Sequence, residues 1–250
     1  MNKHQLQNDL YRLPYHYLPQ IRDGGDFVRH QSLRWGFAYL CYLHHIAAII
    51  AQEKPRTLLD AGCGDGRLIS LVSQHTAGLK LTGLDNNNRA VAMAQALNPE
   101  QRFICGALAD VKETFSFVSC IEVLEHIPDD RVASFISDLV ARTEPGGKLL
   151  IGVPTNNKPM SAKHHRHYDR ATLIEQLATE SHGLQIDSCE FIFNGNDPLY
   201  RFYTKLSENR FWFISVRLFE NLMWKRVWTK LRYAEPCNGH HLLLRLSKSA

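Results

Sequence analysis

The feature that most constrains this chain is a glycine-rich turn placed directly between a strand-like run and a helix-like run. Residues 57–61 are predicted to form a short strand, three glycines follow within residues 62–66, and a helical pattern begins near Arg67. Glycine lets the backbone turn tightly and pass close to a ligand. The N-terminus of the following helix offers free N–H groups to an anion such as a carboxylate. The turn therefore predicts a ligand-binding site at the end of this strand.

Strand-like and helix-like runs continue to alternate after this turn. Beyond residues 57–61, strands are predicted at 79–84, 103–105, 115–121, 148–153, 184–193 and 241–246. Helices are predicted at 30–53, from 67 onward, and at 89–97, 131–142 and 171–180. Strands that alternate with helices of about ten residues indicate a mostly parallel sheet covered on both faces. We expect an α/β fold with a doubly wound, mostly parallel sheet of seven strands.

Four segments are predicted along the chain. Residues 1–54 form an N-terminal arm and helix, 55–196 the ligand-binding core, 197–236 a helical insertion, and 237–250 the last strand. The insertion contains three of the four tryptophans, and its eight Lys/Arg against four Asp/Glu account for the whole formal net charge of +4. Such an asymmetry can mark contact with an anionic partner or surface.

Within the insertion, residues 210–229 have a helical pattern whose apolar side chains point in every direction. A helix that is apolar all round must be covered by something. We expect the insertion and the N-terminal arm to form a lid over the carboxyl ends of the strands, with Tyr15, Tyr17, Trp35 and the insertion's aromatic residues lining a pocket. The alternative is that the basic and aromatic insertion lies on an anionic membrane or on a second subunit.

An acidic residue stands where a nucleoside-binding fold needs one. Asp85 follows Gly66 by 19 residues, at the end of the second predicted strand. An acidic side chain there can accept hydrogen bonds from both hydroxyls of a ribose. The glycine spacing is Gly-x-Gly-x-Gly with Asp60 before it, rather than the Gly-x-Gly-x-x-Gly of nicotinamide enzymes. A nicotinamide oxidoreductase is therefore disfavoured.

Two further motifs follow in the same core. Residues 121–126 are Ile-Glu-Val-Leu-Glu-His, and residues 145–150 are Pro-Gly-Gly-Lys-Leu-Leu. With the glycine turn and Asp85, these residues resemble the class I S-adenosylmethionine-dependent methyltransferases, especially the group that contains the ubiquinone-biosynthesis O-methyltransferases. The resemblance covers residues 55–153, and 163–188 more loosely. It implies a Rossmann-like methyltransferase fold with S-adenosylmethionine as cofactor.

The resemblance also implies which residues hold the cofactor. The methionine end would be held by Asp60 and the backbone of Ala61, Gly62, Cys63, Gly64 and Gly66, the ribose by Asp85, and the adenosine would lie beside Asn86. Relatives often have an acidic residue after the glycine that follows the third strand, where this chain has Ala107. Leu108 or backbone groups would therefore replace that contact. Glu122 belongs to the loop beneath the cofactor.

A basic, histidine-rich loop follows the fifth predicted strand. It spans residues 163–170, contains His164, His165 and His167, and leads into a helix with Asp169 as the expected N-cap. Ligands bind at the carboxyl ends of strands in such sheets, and a neutral imidazole can remove a proton from a hydroxyl group. We therefore expect acceptor binding here, with one of the three histidines as general base. The alternative is a solvated loop packed on the sheet edge.

Glu122, Glu125 and His126 also have the residue types of a divalent-metal site. The run resembles the ligand run of the small-RNA 3′-terminal 2′-O-methyltransferases, which take another histidine from a later loop, here His164, His165 or His167. The same run is common in relatives that use no metal. We expect catalysis without a metal, and a metal-dependent RNA methyltransferase is the alternative.

The sequence thus predicts a methyltransferase that acts on an oxygen or nitrogen of a small-molecule, sugar-linked or lipid-linked acceptor, with a non-catalytic cofactor-binding subunit as a further alternative. A net charge of +4 is too small to indicate nucleic acid binding. The polar first ten residues lack a signal-peptide core, and the six cysteines have no paired spacing. We expect a cytoplasmic protein, with contact to the inner membrane face or a homodimer contact through residues 197–236.

Overall fold

The computed structural model describes residues 19–21, 27–29, 36–178, 181–209 and 211–249 of the chain. These residues contain seven α-helices: α1 Gly36–Glu53, α2 Arg67–His75, α3 Asn88–Leu97, α4 Val132–Arg142, α5 Arg170–Leu177, α6 Pro198–Ser207 and α7 Arg217–Arg226. They also contain ten strands: β1 Pro19–Ile21, β2 Phe27–Arg29, β3 Thr57–Ala61, β4 Lys80–Asp85, β5 Arg102–Cys105, β6 Phe115–Ile121, β7 Thr143–Pro154, β8 Leu184–Asn194, β9 Tyr233–Ala234 and β10 Gly239–Lys248. A π-helical turn, Val227–Leu231, continues α7.

Eight of these strands form one sheet in the order β5-β4-β3-β6-β7-β10-β8-β9. Neighbouring strands from β5 to β7 are parallel, and β10 is antiparallel to both β7 and β8. Helices cover both faces, so the predicted doubly wound, mostly parallel α/β sheet is confirmed. The short strand β9 comes from the predicted insertion and adds an eighth strand by pairing antiparallel to β8.

The two faces of the sheet are covered by separate clusters of apolar side chains. Leu58 of β3 belongs to the cluster that includes α1 and α2, whereas its neighbour Leu59 belongs to the cluster that includes α4 and α5. Successive side chains of a strand lie on opposite faces. A central parallel strand therefore needs apolar residues at consecutive positions, and both leucines are fully buried.

A crevice opens where the strand order changes direction. β3 has β4 on one side and β6 on the other, and the helices that follow β3 and β6 pack on opposite faces. Open α/β sheets bind ligands at such a point, at the carboxyl ends of the strands. The glycine turn, Asp85 and residues 122–126 all lie at the carboxyl ends of β3, β4 and β6.

The insertion differs from the prediction in its helices. Helix α6 was not predicted, although Pro198 stands at its first turn and the side chain of Asp197 accepts from the N–H of Tyr200 at 2.9 Å. Both features favour a helix start. The helix expected over 210–229 begins only at Arg217, because the chain first turns back and the N–H of Ile214 donates to the carbonyl of Ser207 at 2.7 Å.

Helix α7 and its π-helical turn pack on α1. Trp224 and Trp228 lie edge-on to the ring of His44, and Met223 and Val227 are buried in the same apolar cluster.

The segment boundaries at residues 54, 196 and 236 stay predictions. Among the described residues, no helix combines the length and the apolar composition needed to cross a bilayer.

Candidate active site

The glycine turn after β3 is held against the end of β4. The N–H groups of Gly62 and Cys63 both donate to the carbonyl of Leu84, at 2.7 and 2.9 Å. Gly62 has a φ of 87°, and a Cβ atom added there would stand 2.3 Å from Cγ2 of Val123. The turn therefore lies directly against the loop that follows β6, and only glycine fits at this point.

Asp85 closes the same turn from the end of β4. Its Oδ2 accepts from the N–H of Gly64 at 2.9 Å, and its Oδ1 accepts from the N–H of Asn87 at 2.8 Å. Burial raises the pKa of this carboxyl, while the two N–H groups oppose the shift. The carboxyl thus stands at the rim of the crevice, where a ribose-binding carboxylate is expected.

Asp60 lies beneath the turn and is only 3% exposed. The hydroxyl of Ser119 in β6 donates to its Oδ1 at 2.8 Å. Burial raises the pKa of Asp60 to about 7; Ser119 opposes this shift and the charge of Asp85 adds to it. Asp60 is therefore tied to the neighbouring strand β6 at the point where β3 ends.

A cleft of about 330 Å³ begins at this turn and runs along the carboxyl edge of the sheet. Of the predicted cofactor residues, its wall includes Ala61, Gly62, Asp85, Asn86, Leu108 and Glu122, but not Asp60, Cys63, Gly64 or Gly66. The wall also includes Arg131 and Phe135 at the start of α4, which the sequence analysis did not single out. A helix that follows a parallel strand begins at the carboxyl edge of the sheet. The position of α4 after β6 was therefore the sequence signal that its first residues would line the cleft.

Glu122, directly after β6, is a fixed charge on the cleft wall. Its φ of 56° lies in the left-handed region, a strained conformation for a residue other than glycine. Its Oε1 is 3.0 Å from Nδ1 of His241, and its Oε2 is 3.8 Å from Nζ of Lys158. Burial opposes ionisation of Glu122, but His241 and Lys158 outweigh it and lower the pKa of this carboxyl.

Glu125 is fully buried in the 3₁₀ turn Leu124–His126, which follows Glu122. Neither carboxyl oxygen of Glu125 has a hydrogen-bond partner among the described residues. Burial, and then the charge of Glu122, raises its pKa. Its carboxyl lies beside the rings of His126 and His164, and the three possible ligand atoms are within 4.8 Å of one another. Side chains able to hold a divalent cation are therefore gathered here, while Glu122 faces His241 instead.

The three candidate catalytic histidines take different positions. His165 lies on the cleft wall, and its N–H donates to the carbonyl of Glu125 at 2.7 Å. His164 and His167 are not on the wall; Nδ1 of His164 is 2.8 Å from Nε2 of His167. Burial lowers the pKa of both of these rings, to about 3 for His164. The pair is therefore neutral near pH 7, the form in which an imidazole can accept a proton.

The histidine loop is anchored on both sides. Nη1 of Arg166 donates to the carbonyl of Leu124 at 2.7 Å, and its Nη2 pairs with Asp129. At the end of the loop, Asp169 and Thr172 form a capping box, which confirms Asp169 as the N-cap of α5. The loop therefore packs on the sheet edge and also presents His165 to the cleft.

His241 was not among the predicted site residues, yet it partners Glu122 and stacks on Tyr42 with ring centroids 4.2 Å apart. It is the third residue of β10, which runs antiparallel to β7, so it lies at the edge of the sheet where the parallel strands end. The insertion's aromatic side chains, over its described residues 197–209 and 211–236, are not on the cleft wall. The other predicted lining residues, Tyr15, Tyr17 and Trp35, lie outside the described residues.

A family model described as Methyltransferase domain matches residues 32–189 of the chain. The matched span contains the glycine turn, Asp85, the run from Glu122 to His126 and the histidine loop. The family match and the site geometry therefore concern the same part of the chain.

Curated relatives of the chain include ubiquinone biosynthesis O-methyltransferases. The protein of that name from Pseudomonas fluorescens (strain Pf0-1) is 34% identical over 110 residues, which cover 41% of this chain and 46% of the relative. The one from Alkalilimnicola ehrlichii is 31% identical over 123 residues, which cover 46% of this chain and 48% of the relative. The chain thus matches just under half of the length of these relatives.

Solved methyltransferase structures share the fold. Magnesium protoporphyrin IX methyltransferase from Synechocystis PCC 6803 with bound SAM has a TM-score of 0.61 at 16% identity, covering 100% of this chain and 98% of that chain. The N-methyltransferase NodS from Bradyrhizobium japonicum WM9 with S-adenosyl-L-homocysteine has a TM-score of 0.63 at 14% identity, covering 100% of both. The methyltransferase domain of bacterial-CtHen1-C has a TM-score of 0.58 at 14% identity, covering 84% of this chain and 97% of that chain. The fold and family predicted from the sequence are therefore confirmed, and the chain belongs to the methyltransferase domain family.

Proposed function

We propose that the protein is an S-adenosylmethionine-dependent methyltransferase that transfers the methyl group to an oxygen of a small-molecule, sugar-linked or lipid-linked acceptor. One observation carries this proposal: the glycine turn, Asp85 and His165 lie along one continuous cleft. Cofactor-binding and proton-accepting groups in one cleft are what a methyl transfer between two bound molecules requires. Membership of the methyltransferase domain family supports the same reaction class.

The cofactor is proposed to lie with its methionine end on the turn at Gly62, its ribose at Asp85 and its adenine between Asn86 and Leu108. The carboxyl of Asp85 already accepts the N–H groups of Gly64 and Asn87, and it is proposed to accept the ribose hydroxyls as well. The backbone of Ala61, Cys63, Gly64 and Gly66 gives the turn its shape, and Asp60, buried at the end of β3, precedes it. Glu122 closes the cleft beneath the sulfonium, whose positive charge its carboxylate favours.

In the proposed reaction, the acceptor oxygen attacks the methyl carbon and the carbon–sulfur bond breaks with its electron pair on sulfur. The hydroxyl proton of the acceptor passes to a histidine of the loop, drawn from His164, His165 and His167. His165 faces the cleft, whereas the neutral His164–His167 pair lies in the same loop but not on the cleft wall. Most of the rate enhancement would come from holding the acceptor in line with the methyl group.

Oxygen is proposed as the acceptor atom because the curated relatives are O-methyltransferases by name. Nitrogen is the alternative atom, since the N-methyltransferase NodS has the same fold. A cytoplasmic location at the periphery of the inner membrane face is part of the same proposal, because a lipid-linked acceptor would be met there.

Calorimetric titration with S-adenosylmethionine, S-adenosylhomocysteine and NAD tests the cofactor. Heat is expected with the first two ligands and not with NAD. Absence of heat with both methionine-derived ligands would contradict the proposal. Release of S-adenosylhomocysteine in the presence of a panel of hydroxylated acceptors then separates an enzyme from a non-catalytic cofactor-binding subunit.

Single substitutions His164→Ala, His165→Ala and His167→Ala test the base. The variant that removes the base should lower turnover by about 10²- to 10⁴-fold and leave cofactor affinity unchanged. His182→Ala is the matched control, because this histidine follows α5 and its Nδ1 contacts the carbonyl of Leu177 away from the cleft. Full turnover in all three loop variants would remove the histidine base from the mechanism.

A metal-dependent RNA 2′-O-methyltransferase is a second candidate, favoured by the cluster of Glu125, His126 and His164. A buried carboxyl without a hydrogen-bond partner fits a cation ligand, and the two imidazole rings would complete three ligands of a divalent ion. Such an ion would polarise the acceptor hydroxyl when bound. The opposing observation is that Glu122, expected in the same ligand set, faces His241 and Lys158. Catalysis without a metal therefore stays the first prediction.

Elemental analysis of the purified protein and turnover after chelation separate the two candidates. If the enzyme works without a metal, turnover should survive chelation and the purified protein should contain no stoichiometric metal. The metal-dependent RNA methyltransferase would be established if the protein contains stoichiometric Mn, Fe or Zn that disappears in Glu125→Gln, and if chelation abolishes turnover. RNA with a free 3′-terminal 2′-hydroxyl would then be the substrate to test.

A further inference from the structure

Exposed apolar side chains are concentrated on one short part of the molecule. Of the fourteen large hydrophobic residues that are exposed among the described residues, eleven lie within residues 199–222. Phe211 is 82% exposed, Leu218 64% and Phe202 63%. We call the exposed apolar side chains of residues 199–222 the apolar ridge. Contiguous exposed apolar surface of this kind marks a contact site in soluble proteins.

The elements that carry the apolar ridge are anchored by their other faces. Tyr200 of α6 lies edge-on to Phe37 and Phe193, with ring centroids 6.3 and 5.2 Å away. Met223 and Trp224 of α7 are buried against α1. Both helices are therefore held on the protein core by one face, and the side chains of the ridge lie outside that face.

Several polar groups of the loop between α6 and α7 are hydrogen-bonded within the loop or to the end of α6. The N–H of Ile214 donates to Ser207, the N–H of Asn209 donates to the carbonyl of Trp212 at 3.1 Å, and Nε1 of Trp212 donates to the carbonyl of Leu206 at 2.8 Å. Backbone groups that enter an apolar phase must be satisfied internally, since no water remains to bond them. The tip of the ridge already meets part of this requirement.

The exposed charges around the apolar ridge have one sign. Over the described residues 197–209 and 211–232, every exposed charged side chain is Lys or Arg, including Arg201, Lys205, Lys225 and Lys230. Two of the three carboxylates of this part are buried, and the third, Glu208, is half-buried. Asp197 is buried and pairs with Arg226 at 2.6 Å, and the buried Glu220 accepts from the hydroxyl of Ser215 at 2.8 Å.

We propose that the apolar ridge inserts into the interfacial region of a membrane leaflet that contains anionic lipids. An aromatic and aliphatic surface bordered by Lys and Arg is what such a leaflet binds, through apolar burial and attraction to its headgroups. A second copy of this chain fits less well, because a two-fold contact would bring two basic borders together.

The position of the ridge connects it to the cleft. α6 begins directly after β8, whose carboxyl end lies at the edge of the sheet that carries the cleft, and Gly239 pairs with Asn194 there. This part of the inference rests on the proposed function: a lipid-linked acceptor would reach Glu122 and His165 from the leaflet.

Co-sedimentation with vesicles tests the proposal. The full chain should pellet with vesicles of phosphatidylcholine and phosphatidylglycerol and remain largely in the supernatant with phosphatidylcholine alone. The variant Phe202→Ser/Phe211→Ser/Leu218→Ser should lose at least tenfold in partitioning. Lys205→Ser/Lys225→Ser/Lys230→Ser should lose the preference for phosphatidylglycerol. Leu97→Ser is the matched control, because Leu97 is an exposed leucine on α3, outside the ridge.

Wild-type protein that ignores phosphatidylglycerol vesicles, or a ridge variant that binds them unchanged, would overturn the proposal. A dimer in sedimentation velocity that becomes monomeric in the ridge variant would assign the ridge to a second copy and overturn it as well. Circular dichroism checks folding, and if the triple variant is unfolded, Phe211→Ser alone replaces it. Titration of the same variants with S-adenosylmethionine keeps the tests apart, because a protein that binds vesicles but no cofactor would contradict only the proposed function.

Discussion

Gly62 and Gly146 both have a φ in the left-handed region, 87° and 72°, but their surroundings differ. A Cβ on Gly62 would meet Val123 at 2.3 Å, whereas a Cβ on Gly146 would meet nothing within 4 Å. The backbone cost of a left-handed alanine, roughly 1–2 kcal/mol, applies to both. Overlap with a neighbouring side chain applies only to Gly62.

We therefore expect Gly62→Ala to lower the free energy of unfolding by about 1–3 kcal/mol more than Gly146→Ala does. It should also weaken S-adenosylmethionine binding, because the turn must move away from Val123. Urea unfolding and calorimetry on the two variants measure both effects. Equal unfolding midpoints for the two alanine variants would show that the turn is looser than the structure describes.

Asp85 is expected to carry a measurable part of cofactor affinity. Asp85→Ala should weaken S-adenosylmethionine binding by about 1–3 kcal/mol, because ribose hydroxyls in a partly buried site would lose their acceptor. Asp130→Ala, at an exposed position outside the cleft, is the control and should bind normally. An unchanged dissociation constant in Asp85→Ala would show that the assignment of Asp85 to the ribose is wrong.

Two helices begin with an aspartate cap, but the caps have different surroundings. Asp169 is exposed and bonds only within the first turn of α5. Asp197 is buried, caps α6 through the N–H of Tyr200, and also receives two bonds from Arg226 of α7 at 3.1 and 2.6 Å. The second cap therefore also ties the two helices of the apolar ridge together.

We expect Asp169→Ala to lower the free energy of unfolding by about 1 kcal/mol, the usual cost of a lost N-cap. Asp197→Ala should cost more, since it removes the cap and the bonds from Arg226. Thermal or urea unfolding of the two variants gives the comparison. A smaller effect for Asp197→Ala would mean that α6 and α7 are held by their apolar faces alone.

Stability of the whole molecule should fall in mild acid because buried histidines must take up protons on unfolding. Burial, with Arg67 and His75 nearby, lowers the pKa of His44 from 6.5 to about 4. Its contribution to stability is therefore present above pH 6.5 and is lost as the pH falls from 6.5 toward 4. Each such histidine adds up to about 1.4 kcal/mol per pH unit to the slope. The pKa of Asp60 is raised to about 7, so its contribution to the free energy of unfolding has the opposite trend and falls as the pH rises from 4 to 7.

Replacement of His44 isolates one of these contributions. His44→Phe keeps an aromatic ring against Trp224 and Trp228 and removes the titrating group. The loss of stability between pH 7 and pH 5 should therefore be smaller in this variant than in the wild type. His182→Phe, at a position after α5 and away from His44, serves as the comparison. Parallel slopes for His44→Phe and the wild type would contradict the assignment.

Most of the fold could be predicted from the sequence, but only about a third of the residues of the cleft wall. The glycine turn, Asp85 and Glu122 were recognisable because each follows a strand directly. Arg131 and Phe135 could not be recognised by residue type, since they take part only through the placement of α4. The helix expected over 210–229 begins late because a turn held by Ser207 and Ile214 comes first.

By itself the sequence determined what depends on neighbours along the chain. The alternation of strands and helices, the glycine turn between β3 and α2 and the cap at Asp169 follow from local periodicity, glycine content and capping chemistry. These features were sufficient for the α/β sheet. The methyltransferase family was indicated by the resemblance of the glycine turn, Asp85 and residues 121–126 and 145–150 to that family.

Only the tertiary structure decided which distant residues meet. Glu122 and His241 are 119 positions apart and come together because β10 enters the sheet antiparallel to β7. Likewise, α1 takes Trp224 and Trp228 into the core, and residues 211–219 remain exposed. Local periodicity shows that a segment is apolar, but the packing of the other elements determines which of its faces is covered.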